Sequence, residues 1–383
     1  MPNRRKFLKG LSGATAGILA GCGLADPARA FMQNQLQSGV PRAKRRDVLV
    51  GGTRVSTIDL HCHIGVTDIW KVIPRNQVVP DYLEEQARTF RSQPVPVFNP
   101  RGPDVDKRLA DMDEMGIDVQ AVSLNATYYW AEPELARKIV EIQNEKIAEL
   151  CTVRSDRFVG LGTVALQDPA LAVEQLEEGV KKFGMRGFDI GGSVNGEELS
   201  APKFYPFWAK VEQLGTLTFI HPWGFNGTGD LMPGQPRFGG NGQLGNVIGN
   251  PLETTLALSH LIQDGVLDLY PNLKILAAHG GGFLPSYAGR SDQCLVQFPN
   301  GCKPLKKKPT EYLRQLYYDA MLFTAEGLRH LIAEVGVSQV VVGTDYPTRW
   351  SRDSVDRILS APGMSDADRI AILSGNARKL LRL

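Results

Sequence analysis

Asp59-Leu60-His61-Cys62-His63 follows Val55-Ser56-Thr57-Ile58, a β-branched, apolar run with the composition of a buried strand. Residues i and i+2 of a strand point to the same side, so His61 and His63 project together and Cys62 points away. Two neutral imidazoles side by side at a strand end make a good start on a metal site, because imidazole is the commonest metal-binding side chain. An isolated HxH pair serves equally well as two ordinary buried polar groups. The rest of the chain therefore decides the matter.

Beyond the pair, residues 64–103 carry Pro74, Pro80, Pro94, Pro96, Pro100 and Pro103 and read as a long irregular insertion. Strand-like and helix-like segments then alternate. Apolar, β-branched runs predict strands at 119–124, 158–164, 186–190, 217–220, 274–278, 317–318 and 339–342. Helical spacing predicts helices at 133–154, 169–183, 202–214, 253–269, 326–335 and 366–381. With residues 55–58 the strands number eight. Repeated β-then-α units imply parallel strands and right-handed crossovers, and eight of them predict a (β/α)8 TIM barrel with a long insertion after strand 1. A doubly wound sheet would want a Gly-rich turn after its first strand; this one has histidines.

Barrel chemistry gathers at the C-terminal ends of the strands. Strand 5 leads into His221, in Phe219-Ile220-His221-Pro222-Trp223. Strand 6 leads into His279, in Ala278-His279-Gly280-Gly281-Gly282, and strand 8 into Asp345, in Gly343-Thr344-Asp345-Tyr346-Pro347. Four of the six histidines thus sit at strand ends. The other two, His260 and His330, fall within predicted helices and read as surface or partly buried residues. Such sorting points to a metal site in the barrel mouth.

Composition sets the background. The chain has 383 residues, 43% hydrophobic and 22% charged, with a net charge of +2, which is ordinary globular composition. No bulk charge favours nucleic acid or an anionic membrane, and there is no Walker-type loop, zinc-finger spacing or internal repeat. Residues 1–30 read as a twin-arginine-type export signal, with Arg4-Arg5 ahead of an apolar stretch too short to span a bilayer. Cleavage at Ala28-Arg29-Ala30 would release a periplasmic protein, and cleavage before Cys22 would leave a lipid anchor. Residues 31–52 form an N-terminal arm and 53–383 the barrel. Cys62 reads as core and Cys151 as helical. Cys294 and Cys302 flank a Pro/Gly/Lys-rich loop and either pair in an oxidising compartment or remain thiols.

With these motifs in place, the chain resembles the metal-dependent amidohydrolases of the second amidohydrolase group, and among them the branch of aminocarboxymuconate-semialdehyde decarboxylase. The resemblance runs from about Thr57 to Leu383. It rests on the HxH strand, Arg157-Phe158-Val159-Gly160-Leu161-Gly162-Thr163, His221-Pro222-Trp223, Pro251-Leu252-Glu253-Thr254-Thr255, the stretch from Pro271 to Gly282, Gly343-Thr344-Asp345-Tyr346-Pro347 and Gly375-Asn376-Ala377. It implies that His61, His63, His221 and Asp345 bind one divalent ion, Zn²⁺ by its donor set or else Mn²⁺. It implies that His279 stands close by as the general base, with Asp345 also relaying a proton. Arg290 matches an arginine that binds the substrate carboxylate across a homodimer interface, and Trp223 contributes to the substrate pocket. The chain departs from the decarboxylase after Trp223, with Gly224 and Phe225 for its Asp and Met, and Arg101 is shifted from the second substrate arginine. The expected activity is decarboxylation of an aromatic or muconate-type acid through a metal-bound water and a His base. Hydrolysis of a lactone, ester or amide on the same site is the alternative.

Overall fold

The computed structural model describes residues 45–124, 128–222 and 244–383. Eight strands form one sheet: β1 (Ile58–Ile64), β2 (Val119–Leu124), β3 (Phe158–Thr163), β4 (Gly187–Gly191), β5 (Leu217–His221), β6 (Lys274–Ala277), β7 (Tyr317–Asp319) and β8 (Val340–Val341). They lie side by side in chain order, each parallel to the next. The sheet closes where Leu60 N–H donates to Val342 C=O at 2.9 Å, beside parallel bridges Asp59–Val342 and Cys62–Tyr346. The expected (β/α)8 barrel is therefore present. Its helices include α1 (Pro103–Met115), α2 (Pro133–Val153), α3 (Pro169–Lys181), α4 (Tyr205–Leu214), α5 (Asn250–Gln263), α6 (Leu284–Gln297), α7 (Ala325–Val335) and α8 (Asn376–Leu381). Proline opens α1, α2 and α3, where its missing N–H costs no intrahelical bond.

The apolar residues divide into two layers. Ile58, Leu60, Ala121, Leu161, Leu217, Phe219, Leu276 and Val341 fill the barrel interior, with Leu380 and Leu381 of α8 against them. A larger cluster, with Cys62, Val122, Phe188, Ile190, Ile220 and Ile275 on its strand side, packs the sheet against the helices. Small residues permit this: a Cβ on Gly187 would meet the Leu217 carbonyl oxygen at 2.6 Å.

Several boundaries differ from the sequence reading. The first strand is not 55–58 but begins at Ile58, and both histidines lie inside it. Its register against β2 shifts between Asp59 and Cys62, a bulge of the kind that re-aims side chains near a site. The proline-rich stretch holds a 3₁₀ turn, Thr67–Lys71, and a helix, Asp81–Ser92, so it is not wholly irregular. Helices α1 and α6 are not among the helices expected from the sequence. The helix expected over 253–269 stops at Gln263 and restarts after Gly265, whose φ of +74° ends the run. The closing helix is interrupted by a π turn at Ala371–Gly375.

Part of the expected arm belongs to the barrel's packing. Leu49–Val50 pairs antiparallel with Thr53–Arg54, and Val48 and Val50 are buried. The expected leader, with Cys22, lies outside the described residues. Cys62 is buried, its thiol against the Ala121 carbonyl at 3.3 Å. The sulfurs of Cys294 and Cys302 are unbonded and 3.8 Å apart. Among the described residues no helix is long and apolar enough to cross a membrane.

Candidate metal centre

Strands β1 and β5 and the segment after β8 deliver the expected ligands to one point. One donor atom from each of His61, His63, His221 and Asp345 can be chosen so that all four lie within 4.8 Å of one another. The carboxylate oxygen Oδ1 of Asp345 stands 3.4 Å from His61 Nε2 and 3.2 Å from His63 Nε2. Buried Nε2 atoms of His61, His63 and His221 have no hydrogen-bond partner among the described residues. Three orphaned imidazole nitrogens facing one carboxylate fit a divalent cation. Asp345 is held there at φ +54°, in the left-handed region that non-glycine residues rarely occupy.

His279 joins the cluster without joining the ligand set. Its ring centroid lies 5.1 Å from that of His61 and 5.6 Å from that of His221. It too adopts a positive φ, +55°. Its Nδ1 is buried and has no partner among the described residues.

Asp319, at the end of β7, was not foreseen and organises the centre. Its Oδ2 takes His61 Nδ1 at 2.6 Å and the His279 amide at 2.8 Å, while Oδ1 takes the amides of Gly280 and Met321 at 2.9 and 3.0 Å. One buried carboxylate thus fixes the ring of a ligand and the backbone that carries the fourth imidazole. A signal existed: Asp319 stands one residue past a predicted strand, where barrel chemistry collects.

A second network lies beneath. Asp59 accepts from Gln120 Nε2 at 2.9 Å and Thr344 Oγ1 at 2.6 Å. Gln120 in turn accepts from Arg108 Nε at 2.7 Å, and Arg108 Nη1 donates to the His63 carbonyl at 2.8 Å. These bonds tie β1, β2 and the end of β8 under the ligands.

Charges follow the geometry. Burial opposes a charge on His61, but its hydrogen bond to Asp319 and the nearby Asp345 carboxylate outweigh that and push it up to about 10. Burial also opposes ionisation of Asp345, yet His61 and His63 hold its carboxyl below the usual range. Burial, and then the neighbouring imidazoles, drives His221 well down. Burial and the His61 charge lower His279 to about 4, so it is neutral at physiological pH. Without an ion the centre holds a proton where a cation fits.

The remaining predicted residues separate. Arg290 is exposed on α6 and makes no ion pair or hydrogen bond among the described residues. Trp223 lies outside the described residues. His260 meets Asp264 at 3.0 Å and His330 meets Ser286 at 3.1 Å, as expected of helix-surface residues. Other shared motifs prove structural: Arg157 donates to the Asp118 and Ile117 carbonyls, and Asn376 to those of Val337 and Val340.

A parallel barrel with three histidines and an aspartate at its mouth defines a metal-dependent enzyme of the amidohydrolase type. The chain belongs to the amidohydrolase family, which it matches over residues 58–383. It is 31% identical over 284 residues to 2-amino-3-carboxymuconate-6-semialdehyde decarboxylase of Dictyostelium discoideum, covering 73% of this chain and 77% of that protein. It is likewise 31% identical over 298 residues to gamma-resorcylate decarboxylase of Rhodococcus jostii, covering 73% and 87%. Among solved structures, the dihydroxybenzoic acid decarboxylase of Polaromonas, with bound manganese and 2-nitroresorcinol, matches at a TM-score of 0.69 and 26% identity, covering 86% of this chain and 97% of that one.

Proposed function

We propose that this chain is a metal-dependent carboxy-lyase acting on an aromatic or muconate-type carboxylic acid. The observation that carries the reading is a fourth imidazole, His279, set beside a complete ligand set in a barrel whose relatives are decarboxylases. His61, His63, His221 and Asp345 would hold the ion. Three imidazoles and a carboxylate suit zinc, which we take as the native metal, with manganese, found in the Polaromonas relative, as the alternative.

A divalent ion in this position supplies the positive charge that orients and polarises an oxygen of the substrate. The chain's own groups do the rest. His279, neutral above about 4, takes a proton from water in the site at Nδ1, the atom left without a partner among the described residues, and passes it to the carbon that bears the carboxylate; the hydroxide left behind combines with the CO2 released. Protonation there interrupts conjugation. Cleavage of the bond to the carboxyl carbon returns its electron pair to the conjugated system, and CO2 leaves. Asp319 keeps His279 in place through two backbone amides. Arg290, exposed and unpaired among the described residues, reaches the site of a second copy of the chain and grips the substrate's carboxylate with its planar fork. The working unit is then a homodimer. Trp223 joins Arg290 in binding the substrate. Residues 1–30 direct export through a twin-arginine route, which carries folded, metal-loaded protein; N-terminal sequencing of the mature protein tests this and distinguishes Cys22 from the Ala30 cleavage.

A panel of aromatic and muconate-type acids and of lactones, esters and amides, followed separately for CO2 and for acid release, tests the activity. CO2 release from at least one acid is expected, and acid release from the neutral substrates alone would replace the carboxy-lyase by a hydrolase. Arg290→Ala mixed with His279→Ala should regain part of the activity, because some mixed dimers hold one intact site. Subunit exchange without regain would place Arg290 outside the partner's site.

A further inference from the structure

Strand β4 gives the barrel interior an unusual face. Its inward positions read Gly187, Asp189 and Gly191, flanked by the outward Phe188 and Ile190. Asp189 lies in register with Thr163 of β3 and Phe219 of β5. Asp189 is 5% exposed, and its Oδ2 is buried without a hydrogen-bond partner among the described residues. Such a group costs stability unless something uses it.

Burial pushes the Asp189 carboxyl up, while the Ser123 hydroxyl, as a hydrogen-bond donor, and then the His61 charge act the other way. Ser123 is itself fully buried on β2, and its Oγ stands 3.1 Å from His63 Nδ1. His63 offers its other nitrogen, Nε2, to the metal centre. A ligand imidazole that binds through Nε2 carries its proton on Nδ1. That proton is donated to Ser123 Oγ, and the hydroxyl must then donate onward. Two acceptors are present, the Cys62 carbonyl at 3.3 Å and the Asp189 carboxylate. Ionised, the carboxylate is the stronger acceptor, and a cation held by His63 would favour that ionised form over the neutral one that burial favours. His61 has a carboxylate directly behind it, Asp319 at 2.6 Å. His63 has one behind it through a hydroxyl.

We propose that Asp189 is a positioning residue that acts through Ser123 to fix the tautomer and orientation of His63 and so raises the affinity of the centre for its divalent ion. This rests on the metal-centre reading but not on any particular substrate. Loss of a carboxylate behind a ligand histidine typically weakens metal binding by about 10–100-fold.

The test is competition of a chromophoric chelator for Zn²⁺ and Mn²⁺ with the parent protein, Asp189→Asn, Asp189→Ala, Ser123→Ala and the Asp189→Ala/Ser123→Ala double variant. Thermal unfolding of each metal-free protein is measured alongside. Each single variant should bind about 10–100-fold more weakly, with Asp189→Asn losing least because it keeps an acceptor. The double variant should lose no more than the worse single one, because both act on one path. Metal-free Asp189→Asn should unfold at the same temperature as the parent or higher, since it removes a carboxyl that is costly to bury. A purely structural Asp189 would reverse that sign: stability and affinity would fall together. Unchanged affinity in Asp189→Ala, or additive losses in the double variant, would equally overturn the proposal.

Discussion

At the scale of single residues the centre separates into groups that hold an ion, one that moves a proton and one that holds both kinds in place. His63→Ala removes a ligand and should leave metal analysis near zero, because three donors retain zinc poorly. His279→Ala should keep its metal while turnover falls about 100-fold or more, the usual loss for a general acid–base group. Asp319→Asn should show both effects at once. It weakens the bond that orients His61 and removes the charge under the amides of His279 and Gly280. Metal affinity should drop about 10–100-fold, and the metal-free protein should also lose stability, since hydrogen bonds to charged groups contribute about 1.5–3 kcal/mol each. Asp319→Asn with full affinity and unchanged unfolding would show that the carboxylate is dispensable. The histidines were legible in the sequence because a strand's period of two puts His61 and His63 side by side. Asp319 was not, because its meaning lies in contact with residue 61, separated from it by 258 positions. No local pattern encodes such a pair.

At the scale of elements, the loop from His279 to Gly282 decides how the fourth imidazole is presented. Four consecutive residues have positive φ: +55°, +64°, +78° and +64°. The glycines supply this conformation, and they also let other groups approach. A Cβ on Gly282 would lie 2.0 Å from the Pro251 carbonyl oxygen, and one on Gly281 would lie 2.6 Å from the Tyr318 ring. Gly282→Ala should therefore destabilise by about 1–3 kcal/mol or more from backbone strain alone, read as a fall in melting temperature. Gly289, on α6 with nothing within 4 Å of its Cβ position, is the control; Gly289→Ala should stabilise by about 0.4–1 kcal/mol. Equal effects at the two positions would refute the strain argument. The alternation of strands and helices was legible because each strand is a short β-branched run and several helices open at proline. Helix α1 was obscured by the prolines just before it, although Pro103 itself occupies the tolerated first position. The helix Asp81–Ser92 sits between Pro80 and Pro94, where proline counting argued for a loop.

At the scale of the whole molecule, closing the barrel brings charges from β1, β7 and the segment after β8 into one buried place, so folding, protonation and metal binding are linked. His61 is raised from imidazole's ordinary 6.5 to about 10. A group raised on folding contributes stability that is complete below its unfolded value and is lost as pH rises through its folded value. The metal-free protein should therefore become less stable as pH climbs from about 6.5 toward about 10. Asp189, pushed up to about 8 mainly by burial, adds a decline of its own between about 4 and about 8, because it ionises more readily in the unfolded chain. For the groups whose values are depressed the signs reverse. Burial and neighbouring imidazoles depress His63, His221 and His279, and burial is outweighed by histidine contacts in holding Asp319 and Asp345 low. These groups favour the folded state as pH rises toward neutrality. A divalent ion takes the place of the His61 proton, so the metal-bound protein lacks that part of the alkaline decline, and the ion binds more tightly as the competing proton leaves. Melting temperatures with and without saturating Zn²⁺ should consequently diverge as pH rises above about 6.5. His61→Asn should remove the part of the alkaline loss that lies above about 8, where Asp189 no longer contributes, together with the divergence. A metal-free melting temperature that stays level across that range would show that His61 carries no such proton, and that the centre is held together by something other than its charges.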